Sequence, residues 1–173
     1  FVADVPLLFE SGFDFGYERS LLVATTRETQ LVRLQDRNGH DDAMAEADAV
    51  LVGEIHTDPV GHWVEAELFR RALELVRAGD ESGALRPLAL SLEMFERDVQ
   101  GIVDEYLQDL ITESQFLASA RPWEFYDEDY RPMVEAAKER GVPVIAANAP
   151  RRYVNRVSRL GRDALQDLPA QAR

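Results

Sequence analysis

Five short apolar runs punctuate this chain, at residues 1–4, 21–24, 49–53, 88–92 and 142–147, and within each the apolar residues follow one another with little alternation. A strand with one solvated face alternates apolar and polar residues. Unbroken runs of this length instead fit strands covered on both faces, as in a parallel sheet. Parallel strands need long crossovers, and the stretches between the runs supply them at helical spacing. Trp63, Leu68, Phe69, Ala72, Leu75 and Val76 recur as one helical face, closed by turn chemistry at residues 80–83. Thr25-Thr26-Arg27-Glu28 and Thr112-Glu113-Ser114-Gln115 both have capping-box spacing at a helix start, and residues 130–140 read as a helix stopped by Gly141. The pattern predicts an α/β fold, a mostly parallel β-sheet flanked by helices with a helical insertion at 95–120. An acidic, alanine-rich stretch at 41–48, DDAMAEAD, marks an expected boundary between a segment 1–47 and a domain 48–173.

Composition narrows the function classes. The chain has no cysteine, which excludes disulfides, thiolate metal sites and cysteine nucleophiles within it. A net charge of -13 argues against nucleic acid as a partner, because phosphate binders cluster lysine and arginine, and Lys138 is the only lysine. No apolar run approaches the roughly 20 residues that span a bilayer, so no transmembrane segment is expected.

In open α/β sheets ligands sit outside the carboxyl ends of the strands. Glu54 follows AVLVG, Glu93 follows LALSL and Asn148 follows VPVIAA, so all three are expected at such ends. Residues two apart on an extended segment share a face, which sets His56 beside Glu54, and Glu93 would meet them if the strands neighbour each other. Two carboxylates and an imidazole could act as general acid and base, or could hold a metal ion together with His62. The structural alternatives are a turn at Asp58-Pro59, a capping role for Glu54 and a solvated first helical turn for His62. The aromatic cluster WEFYDEDY, residues 123–130, reads either as core packing or as an apolar wall with a phenolate ligand suited to haem. Arg151-Arg152-Tyr153 could pair with propionates or phosphate, or form a solvated helix face.

Three segments, VLVGEIHTDPVGHWVE, LALSLEMFERDVQGIVDEYL and ARPWEFYDEDYRPMVEAAKERGVPVIAANAPRRYVNRV, in this order and spacing, resemble the ChaN family of haem-binding proteins within the Tiki and erythromycin-esterase-like superfamily, over about 48–165. The resemblance implies haem or iron handling, with haem or another small molecule as ligand and a homodimer as one assembly. Carried over by residue, it implies a pocket of Glu54, His56, Glu93 and Asn148, with Tyr126, Tyr130 and His62 as candidate haem ligands. Family members are typically lipoproteins and their domain runs further than this chain. The absence of cysteine departs from that pattern, and the fold is expected to be truncated.

Residues 1–47 look different. VADVPLLFESGFD and SLLVATTRETQLVRLQDRNG resemble the C-terminal half of dephospho-coenzyme A kinase, which implies phosphate contacts by Arg33 and Arg37. That chemistry needs a Gly-rich loop ending in Lys and Ser or Thr, and Lys138 is followed by Glu139 and Arg140. ATP is therefore expected as a cofactor only if a separate P-loop half exists, and this chain alone is expected to be non-enzymatic. The remaining alternatives are a Glu/His or metal-assisted hydrolase, and a fusion or fragment. The kinase resemblance implies a cytoplasmic setting and the ChaN resemblance an envelope one.

Overall fold

A computed structural model describes residues 2–4, 20–23, 47–78 and 87–168. Five strands form one sheet, β1 (Val2–Asp4), β2 (Ser20–Val23), β3 (Ala49–Val52), β4 (Leu90–Glu96) and β5 (Val144–Asn148). Their order is β2-β3-β1-β4-β5 and every pairing is parallel. The α/β reading holds, and all five apolar runs are strands. The sheet takes β1 and β2 from before the boundary expected near residue 47, and β1 sits between β3 and β4. Among the described residues no helix is long and apolar enough to cross a membrane.

The helices are α1 (Pro59–Ala78), α2 (Gln100–Leu107), α3 (Glu113–Ala120), α4 (Arg131–Arg140) and α5 (Arg151–Leu160). Thr112 caps α3 as its spacing predicts: the hydroxyl accepts from the Gln115 backbone N–H at 3.3 Å, and the Gln115 amide oxygen accepts from Thr112 N at 2.9 Å. Gly141 ends α4 at φ 66°, a left-handed conformation that frees its N–H and that of Val142 to bond the Lys138 and Ala137 carbonyls. The helix expected after Thr25, the acidic stretch at 41–46, the turn at 80–83, Arg33 and Arg37 all lie outside the described residues.

Two of the expected boundaries are corrected. β4 does not stop at residue 92 but continues to Glu96, so the helical patch starts later than residue 95, with a 3-10 turn at Arg97–Val99. The cause is an irregularity in pairing: Leu92 faces Ala146 and Glu96 faces Asn148, so four steps along β4 match two along β5. Such a bulge bends the strand and re-aims its side chains. Met94 and Phe95 are both fully buried although consecutive, and Glu93 is turned toward the sheet's carboxyl end. Asn148, expected beyond its strand, is the last residue of β5.

The main core packs α1, α2, α3 and α4 over β4 and β5 through Phe69, Leu92, Phe95, Phe116, Tyr130 and Val134. Phe116 stacks on Tyr106 with ring centroids 4.3 Å apart and meets Phe95 edge-on at 5.6 Å. A smaller cluster, Val50, Val52, Val64, Leu68 and Ala72, fixes α1 to β3. That contact directs the N-terminus of α1 to the end of β3, where the polar residues of the opening loop gather.

Candidate functional site

β3 ends at Val52, and Gly53 to Asp58 form the loop that leads into α1. The turn is built locally. Asp58 N donates to the Ile55 carbonyl at 2.7 Å, and Asp58 Oδ1 accepts from Val60 N at 3.1 Å, which positions the first turn of α1. Glu54 therefore points inward and its side chain is 1% exposed, while His56 stands at the mouth with 46% exposure.

Glu54 is the hub. Its Oε1 lies 2.5 Å from His56 Nδ1 and accepts a short hydrogen bond from the Tyr130 hydroxyl. Its Oε2 lies 3.1 Å from His62 Nε2. Burial alone would raise the Glu54 pKa, but hydrogen bonds from His62, Tyr130, His56 and Glu65 outweigh it and hold the carboxyl at about 2. His62 is not on a solvated helical turn: it is 1% exposed, with Nε2 3.1 Å from the Tyr130 oxygen and Nδ1 3.0 Å from Asp129 Oδ2. Burial opposes its charge, yet the carboxylates of Glu54, Asp129 and Asp58 raise its pKa above the ordinary value.

One widened π-helical turn, Tyr126–Tyr130, delivers both Asp129 and Tyr130 to His62. In a turn of this width successive side chains diverge less than in an α-helix, so neighbours in sequence reach one target. Trp123 closes the outside of this nest, with its ring 4.3 Å from that of His56 and 5.9 Å from that of Tyr130. Glu93 joins from β4, its Oε2 4.0 Å from His56 Nε2. Burial first, and then the Glu54 charge, raise the Glu93 pKa against the opposing pull of His56.

Outside Trp123 lies an open cleft of about 540 Å³ lined by His56, Glu96, Arg121, Trp123, Phe125 and Arg151, among others. Arg121 takes a left-handed backbone, φ 53°, at the end of α3 and pairs with Asp98 at 2.9 Å. Arg151 starts α5, is 79% exposed, and its backbone N donates to Glu96 at 2.9 Å. The cleft thus offers an aromatic wall, two guanidinium groups and one imidazole.

The structure brings Glu54, His56, His62, Tyr130 and Glu93 together. Asn148 sits at the carboxyl end of β5, opposite Glu96. Tyr126 packs in the core against Phe95 and Phe116, 3% exposed, with no partner for its hydroxyl among the described residues; burial pushes that hydroxyl's pKa far up. Sequence reasoning missed Glu65, Asp129 as a partner of His62, and Arg121, whereas Trp123 opens the aromatic cluster it had read as core or apolar wall. Glu65 stands three residues after His62, a spacing that puts both on one helical face and could have revealed it. Arg121 carried no signal, because its place depends on how α3 ends.

A family model described as "Haem-binding uptake, Tiki superfamily, ChaN" matches residues 42–173. No curated protein and no solved structure matches the chain. None of these comparisons supports the kinase-like reading of residues 1–47.

Proposed function

Because the chain belongs to the ChaN haem-binding uptake family of the Tiki superfamily, we propose that it binds haem in the cleft beyond β3 and β4, in the uptake or handling of haem or iron. One observation carries this reading. His56 lies in the cleft lining with its Nδ1 committed to Glu54, so Nε2, 4.0 Å from Glu93 Oε2, is the ring nitrogen without a hydrogen bond among the described residues and the one to meet a ligand. A carboxylate on the far nitrogen fixes the tautomer and raises the basicity of an imidazole ligand.

The other groups suit the same ligand. Trp123 and the half-exposed Phe125 offer an apolar face to a porphyrin. Arg121 and Arg151 are exposed enough to exchange their carboxylate partners for propionates, which guanidinium groups bind in bidentate fashion. Tyr126, Tyr130 and His62, the earlier candidates for the iron, are at most 3% exposed and stand behind Trp123 or in the core. His56 is the better candidate. Bound haem would contribute the iron and its axial chemistry; the chain supplies orientation, charge balance and a wall against water.

A haemin titration followed by absorbance tests this. The wild-type chain is expected to show a saturable, shifted Soret band. His56→Ala should change the band position and weaken binding at least tenfold, whereas Tyr126→Phe should leave both unchanged. Arg121→Gly should weaken binding severalfold while keeping or raising stability, because glycine favours the left-handed backbone that arginine occupies there. A His56→Ala band identical to wild type would remove His56 as the ligand.

A further inference from the structure

The helices α2, α3 and α4 each bury residues in the core, whereas α5 buries none. It is nevertheless sharply two-sided. At about 100° per residue, Tyr153, Val154, Val157 and Leu160 fall on one side of α5, and Arg152, Asn155, Arg156 and Arg159 on the other. A stripe of this period ordinarily faces a core. Here Val154 is 51% exposed and Leu160 59%, and the stripe ends beside Leu165, 40% exposed, in the 3-10 turn Arg162–Leu165 that lies against the helix.

The charge around the stripe indicates what covers it. No aspartate or glutamate occurs from Arg140 to Arg162, a stretch with six arginines in a chain of net charge -13. Arg151 and Arg152 pair with Glu96 and Asp98, which ties the first turn of α5 to the body of the protein. Farther along, Arg156 reaches Asp167 only at 3.8 Å, and Arg159 and Arg162 have no carboxylate within 4.0 Å among the described residues. The helix therefore offers an anionic partner both uncovered apolar side chains and uncompensated positive charge.

We propose that α5 lies on the surface of a bilayer containing anionic phospholipid. Val154, Val157 and Leu160 enter the boundary between headgroups and acyl chains, and the long arginine stems carry their charges out to the phosphates. A strongly polar opposite face and a low overall hydrophobicity are what distinguish a helix that lies on a membrane from one that spans it. Nucleic acid would engage the arginines alone and leave the apolar stripe in water. A second copy docked across a two-fold axis would set this face against itself, arginine against arginine. Arg151 starts α5 and also lines the cleft, so docking brings the cleft mouth beside the lipid surface. The proposal does not depend on what the cleft holds, and its test contains no haem.

Co-sedimentation of the full chain with vesicles is the direct experiment, using phosphatidylcholine alone or mixed in equal parts with phosphatidylglycerol. Partition onto the anionic vesicles is expected to be at least about tenfold stronger than onto the neutral ones. It should weaken at least about fivefold in Arg159→Glu/Arg162→Glu and in Val154→Ser/Leu160→Ser, whose altered side chains are all exposed in the folded chain. The chain has no cysteine, so an environment-sensitive fluorophore on Leu160→Cys reports the stripe directly. Its emission should shift to the blue on anionic vesicles, while the same label on Glu139→Cys, at the exposed end of α4, stays unshifted. Absent partition, equal partition onto both kinds of vesicle, or unshifted emission at Leu160→Cys overturns the proposal. So does a blue shift that grows with protein concentration in the absence of vesicles, which places a second copy on the stripe, or tighter association with duplex DNA than with the anionic vesicles.

Discussion

Glu54 keeps its charge inside the protein because donors surround it, and this makes its surroundings testable. Tyr130→Phe removes the hydroxyl that donates to Oε1 without changing the ring packing. Loss of one hydrogen bond to a buried charge is expected to cost about 1–3 kcal/mol, read by urea denaturation. The pH dependence has two limbs. The Glu54 carboxyl sits at about 2 in the folded chain against an ordinary 4.5, so its stabilisation is complete above 4.5 and fades as pH falls toward 2. His62 is shifted upward, so its contribution is complete below 6.5 and is lost as pH rises through its elevated value. Melting temperatures across pH should therefore peak between these limbs, and Tyr130→Phe should move the acid limb upward. At this scale much was legible: the i, i+2 spacing of Glu54 and His56 did place them on one side. The burial of His62 was not, because its partners Tyr130 and Asp129 lie more than sixty residues away and only the fold joins them.

β5 is an edge strand, yet its outer edge is partly paired by a side chain. The Gln100 amide donates to the Val144 carbonyl at 2.8 Å and accepts from Ala146 N at 2.7 Å. These are the two bonds that one residue of a further parallel strand would make opposite Ile145. Gln100→Ala leaves both β5 groups without that partner and should cost about 1–3 kcal/mol. Faster hydrogen exchange at the Ala146 amide, with the Leu92 amide little changed, is the measurement that locates the effect. No residue type announces this role, since a glutamine at a helix start reads as ordinary surface. The capping box at Thr112 and the stop at Gly141 were legible because their bonds are made within a few residues. The bulge in β4 was not: it is a property of two strands in register, and neither sequence run contains it.

For the whole molecule, alternating apolar runs were enough to foresee a parallel α/β sheet, because double-sided burial leaves few other arrangements. Strand order was not foreseeable, since the apolar runs resemble one another and nothing local says which lies beside which. The family match begins at residue 42, while β1 and β2 precede it. A chain beginning at residue 42 keeps every matched position and loses two strands, including one from the middle of the sheet. It is expected to melt at a lower temperature than the full chain and to lose saturable haemin binding, measured by circular dichroism and absorbance. Retention of both would make the first strand dispensable.

The central place of β1 also acts as a spacer. Strands lie about 4.8 Å apart, so β3 and β4 are held roughly 9–10 Å from one another with β1 between them. His56 leaves the end of one outer strand and Glu93 projects from the other, and across that width their atoms approach to 4.0 Å. Three residues of backbone, Val2–Asp4, thus work as a gauge block: the thickness of one strand sets how wide the jaws of the nest stand.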